Sequence, residues 1–258
     1  MYVDHIRLFV FKNKNYLAYR MTSEFSSSKL VDLTHVINDQ MPTWIENQGF
    51  KQKQIFFVEK DGYAIHTLTF EKAGVGTHFD SAAHFFAGKR TVHEYPIDEL
   101  ICPLAVVNVS QHVERDRDYR VTKQDILNWE QIHGEIKQDS FIVANTGWTK
   151  FWSSPKDYMN FDENGVRHFP GWGQEAAEYL LDKGARGLGI DTASIDPGND
   201  STFAAHGVFL KADRYLVENI KLNEENLQKL PETGATIFIM PLPLENGSES
   251  PARIFARV

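Results

Sequence analysis

The chain has 258 residues, a formal net charge of −8 and 42% hydrophobic residues, ordinary globular usage with room for one large domain or two small ones. The acidic balance argues against nucleic acid, which wants a basic stripe, and no Lys/Arg cluster or transmembrane-length apolar run points to a membrane. One cysteine, Cys102, excludes an internal disulfide and fits a reducing compartment, so the expected location is cytoplasmic.

In chain order, residues 1–28 read as an N-terminal extension. Their apolar stretch, Leu8 to Phe11, is broken by Lys12 and Lys14, too short and too charged for a signal peptide. Residues 29–258 read as one domain, since no repeat or Pro/Gly/Ser linker divides them. Gln54 to Val58 and Tyr63 to Phe70 are β-rich runs joined across Asp61-Gly62, a tight-hairpin signal. Cys102 sits in an apolar run, Leu100 to Val107, and is expected to be a buried inert thiol, while Leu104 to Val109 and Phe141 to Ala144 read as buried strands. Between them Thr122 and Asp125 form a capping-box pattern ahead of a helix with apolar positions Ile126, Leu127 and Ile132, stopped by Gly134. Gln174 to Lys183 is a second helix and Gly187 to Ile190 a strand. A third helix starts at the N-cap Asn223 and ends at Leu230, before Pro231. Ala235 to Met240 and Ile254 to Val258 complete a mixed sheet, and alternating strands and helices make an α/β domain.

The stretch Gly76-Thr77-His78-Phe79-Asp80-Ser81-Ala82-Ala83-His84 carries the chemistry. In an extended segment His78 and Asp80 point to one side, and a helix starting near Asp80 would set His84 one turn further along that face. Imidazole plus carboxylate suits zinc or manganese, and a further imidazole can move protons near neutrality. On spacing alone a blander reading competes: Asp80 caps a helix, and His78 and His84 are half-buried polar residues.

That motif resembles the signature of the cyclase family of metal-dependent hydrolases, which includes bacterial kynurenine formamidases and isatin hydrolases. Further landmarks recur in the family's order: Leu33-Thr34-His35, Pro42-Thr43-Trp44, Asn145 to Trp148, Gly189 to Asp196, His206, Glu218, and Pro251-Ala252-Arg253. The resemblance covers about residues 29–258 and implies a swivelling β/α/β type of single domain with flanking helices. It also implies metal ligands at His78, Asp80, His206 and Glu218, a proton-shuttling His84, and Trp44 as a wall of the substrate pocket. Asp191 and Asp196, following the strand at Ile190, are expected to support the ligands and fix loops. Trp148, Phe151 and Trp152 are expected in the core.

Two positions depart from the family pattern. Ala82 replaces its proline, and Gly74 replaces its first histidine, which completes one metal's coordination in two-metal members. His66 is the nearest upstream histidine but lies eight residues before Gly74, on the order of 25 Å along an extended chain. The expected activity is hydrolysis of a carbon–nitrogen bond in a small aryl formamide or isatin-like lactam, with one or two zinc or manganese ions per chain. A cyclic ester substrate and a metal-poor ligand-binding pseudoenzyme, the latter resting on Gly74, are the alternatives. A homodimer or homotetramer is expected from the family's tendency.

Overall fold

The structure, a computed structural model, describes residues 30–46 and 48–258; the expected extension at 1–28 lies outside the described residues. In chain order the elements are β1 (Leu30–Asp32), β2 (Phe50–Phe56), α1 (Val58–Asp61), β3 (Ile65–Phe70), β4 (His78–Asp80), β5 (Ile101–Asn108), α2 (Ser110–Val113), β6 (Arg120–Val121), α3 (Lys123–His133), β7 (Phe141–Asn145), α4 (Pro155–Met159), β8 (Gly171–Trp172), α5 (Gln174–Asp182), β9 (Gly187–Ile190), α6 (Ala204–Lys211), β10 (Tyr215–Glu218), α7 (Glu224–Leu227), β11 (Thr233–Pro241) and β12 (Glu249–Arg257).

Eight strands form one mixed sheet in the order β1-β12-β11-β5-β7-β9-β10-β4, and β4 also pairs with β12, so the sheet closes on itself. Strands β5, β7, β9 and β10 run parallel to their neighbours in that group. The remaining pairings are antiparallel. The molecule is thus a mixed α/β single domain with flanking helices.

Period-two alternation sorts the side chains. Leu104, Val106, Phe141, Val143, Tyr215, Val217 and Phe79 meet in one core on the inner face. Their neighbours Ala105, Val107, Ile142, Ala144 and Leu216 point outward, against Ile126 of α3, Leu180 of α5 and Phe209 of α6. Each fully buried aromatic contributes roughly 1.5–3 kcal/mol. Gly187 and Gly189 leave space for these rings: a Cβ there would come within 2.9 Å of Tyr215 and 2.7 Å of Phe141 respectively.

The helix expected after Thr122 is α3. Thr122 Oγ1 accepts from the Asp125 amide at 3.2 Å and Asp125 Oδ2 accepts from the Thr122 amide at 2.7 Å, a box of about 1 kcal/mol. Its buried residues are Ile126 and Trp129, while Ile132 is 77% exposed. Six residues at 100° each turn Ile132 well away from Ile126, so Trp129 takes the inward place. The strands around Asp61-Gly62 do pair, from Phe50↔Phe70 to Phe56↔Ile65. A helical turn, α1, replaces the expected two-residue loop, because Asp61 Oδ2 accepts from the Phe57 amide and Gly62 closes the turn at φ +80°. The third helix is only α7, capped by the Asn223 side chain as expected. β12 begins five residues earlier than the expected strand at Ile254. Cys102 is buried in β5, where burial raises its thiol pKa.

Candidate functional site

β4 is hydrogen-bonded on both sides, and its register determines which side chains meet. His78 lies opposite Glu218 of β10, and Asp80 lies opposite Glu249 of β12. Because directly opposed residues share a face, these four side chains point together while Phe79 enters the core. Glu218 ends β10, beside the carboxyl ends of the parallel strands β7 and β9, where α/β sheets place their sites. His206 comes from the first turn of α6.

The ligand-capable atoms converge. His78 Nε2 lies 3.5 Å from Asp80 Oδ1 and 3.2 Å from Glu218 Oε2. His206 Nε2 lies 3.2 Å from Glu218 Oε1 and 3.9 Å from Asp80 Oδ2. Both imidazoles are set from behind. His78 Nδ1 donates to the Gly76 carbonyl at 2.9 Å and His206 Nδ1 donates to Asp196 Oδ2 at 2.5 Å, leaving both Nε2 atoms aimed at the carboxylates. Asp196 also accepts from the amides of Ala205 and His206, so it caps α6 as it orients the ring. Gly76, at φ +62°, gives its carbonyl this aim at a backbone angle that a side chain would strain.

The electrostatics ask for a cation. Burial lowers the His78 pKa, but Asp80, Glu218 and Glu249 outweigh it and raise the value to about 10. Burial likewise lowers His206, and bonds to Asp196 and Glu218 raise it to about 10. Burial and the Glu218 charge push Asp80 up to about 6. Burial raises Glu218 as well, but His206 and His78 hold its carboxyl well below the usual range. Asp80 Oδ1, on a residue 1% exposed, has no hydrogen-bond partner. A divalent ion fits these residues: ligand atoms about 2.0–2.2 Å from one ion stand about 3–3.5 Å from each other, close to the separations found.

His84 ends a 3₁₀ turn, Ala82–His84, that has no side-chain cap. Asp80 lies in β4 rather than capping a helix, and His78 is buried rather than half-buried. The His84 ring centre lies 6.2 Å from that of His206, and Nδ1 is 3.7 Å from Glu249 Oε2. Trp44 lines the same cleft of about 210 Å³ with Lys72, Phe85 and Phe203. The Arg167 guanidinium covers one face of Trp44 at 3.8 Å and donates to its carbonyl at 2.6 Å. Phe85 stacks on His206 at 4.8 Å.

Asp191 stands apart from the donor cluster. Its carboxylate accepts from the amides of Thr146, Trp148 and Thr149 and from Thr146 Oγ1. Tyr158 Oη then bridges to Asn219, whose side-chain amide donates to the Gly76 carbonyl. Trp148 is buried in the core, with Phe151 and Trp152 packed at its edge. His66 is exposed on β3, away from the cluster. The sequence reading gave no role to Glu249, Lys72, Phe85, Phe203, Asn219 or Arg167. For Glu249 the signal was its cross-strand register with Asp80, which appears only once β12 is known to start there.

Residues 31–197 match the Cyclase family model. Over 191 residues, 71% of this chain and 71% of its relative, the sequence is 33% identical to isatin hydrolase of Roseibium aggregatum. It is 24% identical over 232 residues to kynurenine formamidase of Bacillus anthracis, covering 90% of this chain and 98% of that one. Isatin hydrolase A from Ralstonia solanacearum has a similar structure, with a TM-score of 0.82 and 29% identity over 89% of this chain and 91% of that one. The fold and donor set thus define a metal-site hydrolase class. The chain belongs to the cyclase family of metal-dependent hydrolases.

Proposed function

We propose that the protein hydrolyses a carbon–nitrogen bond of a small aryl formamide or isatin-like lactam, using divalent metal, one ion or two, held among His78, Asp80, His206 and Glu218. The observation that carries this reading is the convergence of those four side chains at the base of an aromatic-lined cleft. At about 210 Å³ the cleft lies below the ~300–1,000 Å³ of drug-sized sites and takes a small molecule. When bound, the ion supplies a Lewis acid and acidifies water from about 15.7 towards about 7.

The protein's own groups do the rest. Trp44, Phe85 and Phe203 hold a flat ring, and Arg167 keeps Trp44 in place. His84 takes a proton from the attacking water and returns it to the leaving nitrogen. Hydroxide adds to the carbonyl carbon, the C–N bond breaks, and a carboxylic acid and an amine result. Imidazole and carboxylate donors suit zinc and manganese alike. The cytoplasm fits a chain with one buried cysteine; among the described residues no helix is long and apolar enough to cross a membrane. A homo-oligomer fits the β2–β3 hairpin, which exposes Ile55, Phe57, Tyr63 and Leu68.

The test is hydrolysis of N-formyl arylamines and of isatin-type lactams by zinc- and manganese-loaded protein, followed by ultraviolet absorbance. Turnover of one class, abolished by chelation and reduced about 10²–10⁴-fold in His84→Ala, is expected. Turnover of neither class by metal-loaded protein overturns the proposal.

A further inference from the structure

Glu249 belongs to the site by geometry, although no sequence motif points to it. It opens β12 directly opposite Asp80. A Cβ built on residue 74 would run into Glu249 Oε1 and come within 3.1 Å of His78 Cδ2. The carboxylate of Glu249 therefore fills, from the neighbouring strand, the space a side chain at position 74 would occupy.

The donor atoms divide into two triads. His78, Asp80 and Glu249 offer atoms all within 4.8 Å of one another, and so do Asp80, His206 and Glu218. Asp80 belongs to both, as a carboxylate with two oxygens can. Its Oδ1, without a hydrogen-bond partner, sits on the His78 side of the group at 3.5 Å from His78 Nε2. Burying an oxygen without a partner is costly, and an ion on the His78 side would remove that cost.

We propose that Glu249 is a metal ligand which takes the place left by Gly74, creating a second ion position at His78, Asp80 and Glu249 beside that at Asp80, His206 and Glu218. This rests on the metal-dependent reading of the site. Glu249 Oε2 lies 3.7 Å from His84 Nδ1, so the same carboxylate also faces the proposed proton shuttle. Gly74 is then a requirement of the arrangement, since any side chain there displaces the ligand.

The test is equilibrium dialysis with Mn²⁺ alone, with metal counted by elemental analysis and folding followed by circular dichroism. The parent protein is expected to hold two equivalents, and Glu249→Gln one, with the lost equivalent weakened at least ~10-fold. Gly74→His combined with Glu249→Ala moves the ligand across the gap and is expected to recover the second equivalent. Gly74→His alone sets two side chains in one space and is expected to lose it. One equivalent in the parent, or two retained in Glu249→Gln, overturns the proposal and leaves the hydrolase reading standing. No metal in the parent would remove the hydrolase reading itself.

Discussion

Asp191→Asn tests whether one buried carboxylate holds the turn behind the site. Asp191 Oδ2 accepts from the amides of Trp148 at 2.8 Å and Thr149 at 3.2 Å, and Oδ1 accepts from the amide and hydroxyl of Thr146 at 2.9 and 2.6 Å. Asparagine keeps the shape but turns one acceptor oxygen into a donor. In either orientation it faces two groups that now donate, although the Thr146 hydroxyl can rotate. Bonds to a charged group contribute about 1.5–3 kcal/mol each, so losing two costs about 3–6 kcal/mol gross. Asparagine also avoids burying a charge, and that burial cost raises the pKa of Asp191 despite its four donors. The net loss is therefore about 3 kcal/mol. For a chain of this size that lowers Tm by roughly 6–12 °C. Differential scanning calorimetry of parent and variant at neutral pH measures it. A variant melting within about 2 °C of the parent would refute the view that Asp191 holds residues 146–149.

Two further predictions concern His35 and Asp196. Burial, with the Lys221 charge, lowers the His35 pKa from 6.5 to about 3, so the folded state resists its protonation. The stability it allows is complete above about pH 6.5 and falls as pH drops through that value, with about 2 kcal/mol lost at pH 5. His35→Phe keeps the stack on Trp152 and should flatten the urea-stability profile between pH 7 and 5 by that amount; an unchanged slope would count against it. Asp196→Asn takes the charge from the acceptor of His206 Nδ1, and calorimetric titration with zinc should show affinity about 10–100-fold weaker. Equal affinity would mean that the ring needs no such support.

Local chemistry made much of this fold legible. The capping box at Thr122 and Asp125 and the N-cap at Asn223 stand where the residues themselves demand them, because a cap is a contact among near neighbours. The β12 boundary was hidden because a proline inside a segment argues against a strand. Pro251 nonetheless lies within β12, opposite His78. With the first five residues of β12 went Glu249, whose relation to Asp80 is one of register across strands and leaves no trace in spacing. That His78 and Asp80, two apart on one strand, share a side was legible from the alternation of side chains, while their assignment as ligands came from family resemblance. His206 and Glu218, twelve residues apart on a helix and a strand, came from family resemblance, since nothing local joins them. Ile132 shows the opposite failure, an apolar residue that the helix turns into solvent.

The closed sheet is held at one place by only three residues, those of β4, bonded to β10 on one side and β12 on the other. Two of the three, His78 and Asp80, belong to the proposed ion site, and the residues opposite them, Glu218 and Glu249, sit on the two flanking strands. An ion bound there, as proposed, would clasp this three-residue seam of the ring. Anything that binds only the closed form stabilises it by mass action, so on this proposal removing the metal would weaken the barrel and the reaction centre together. On that proposal the readiness to react and the integrity of the ring would be set by the same few atoms.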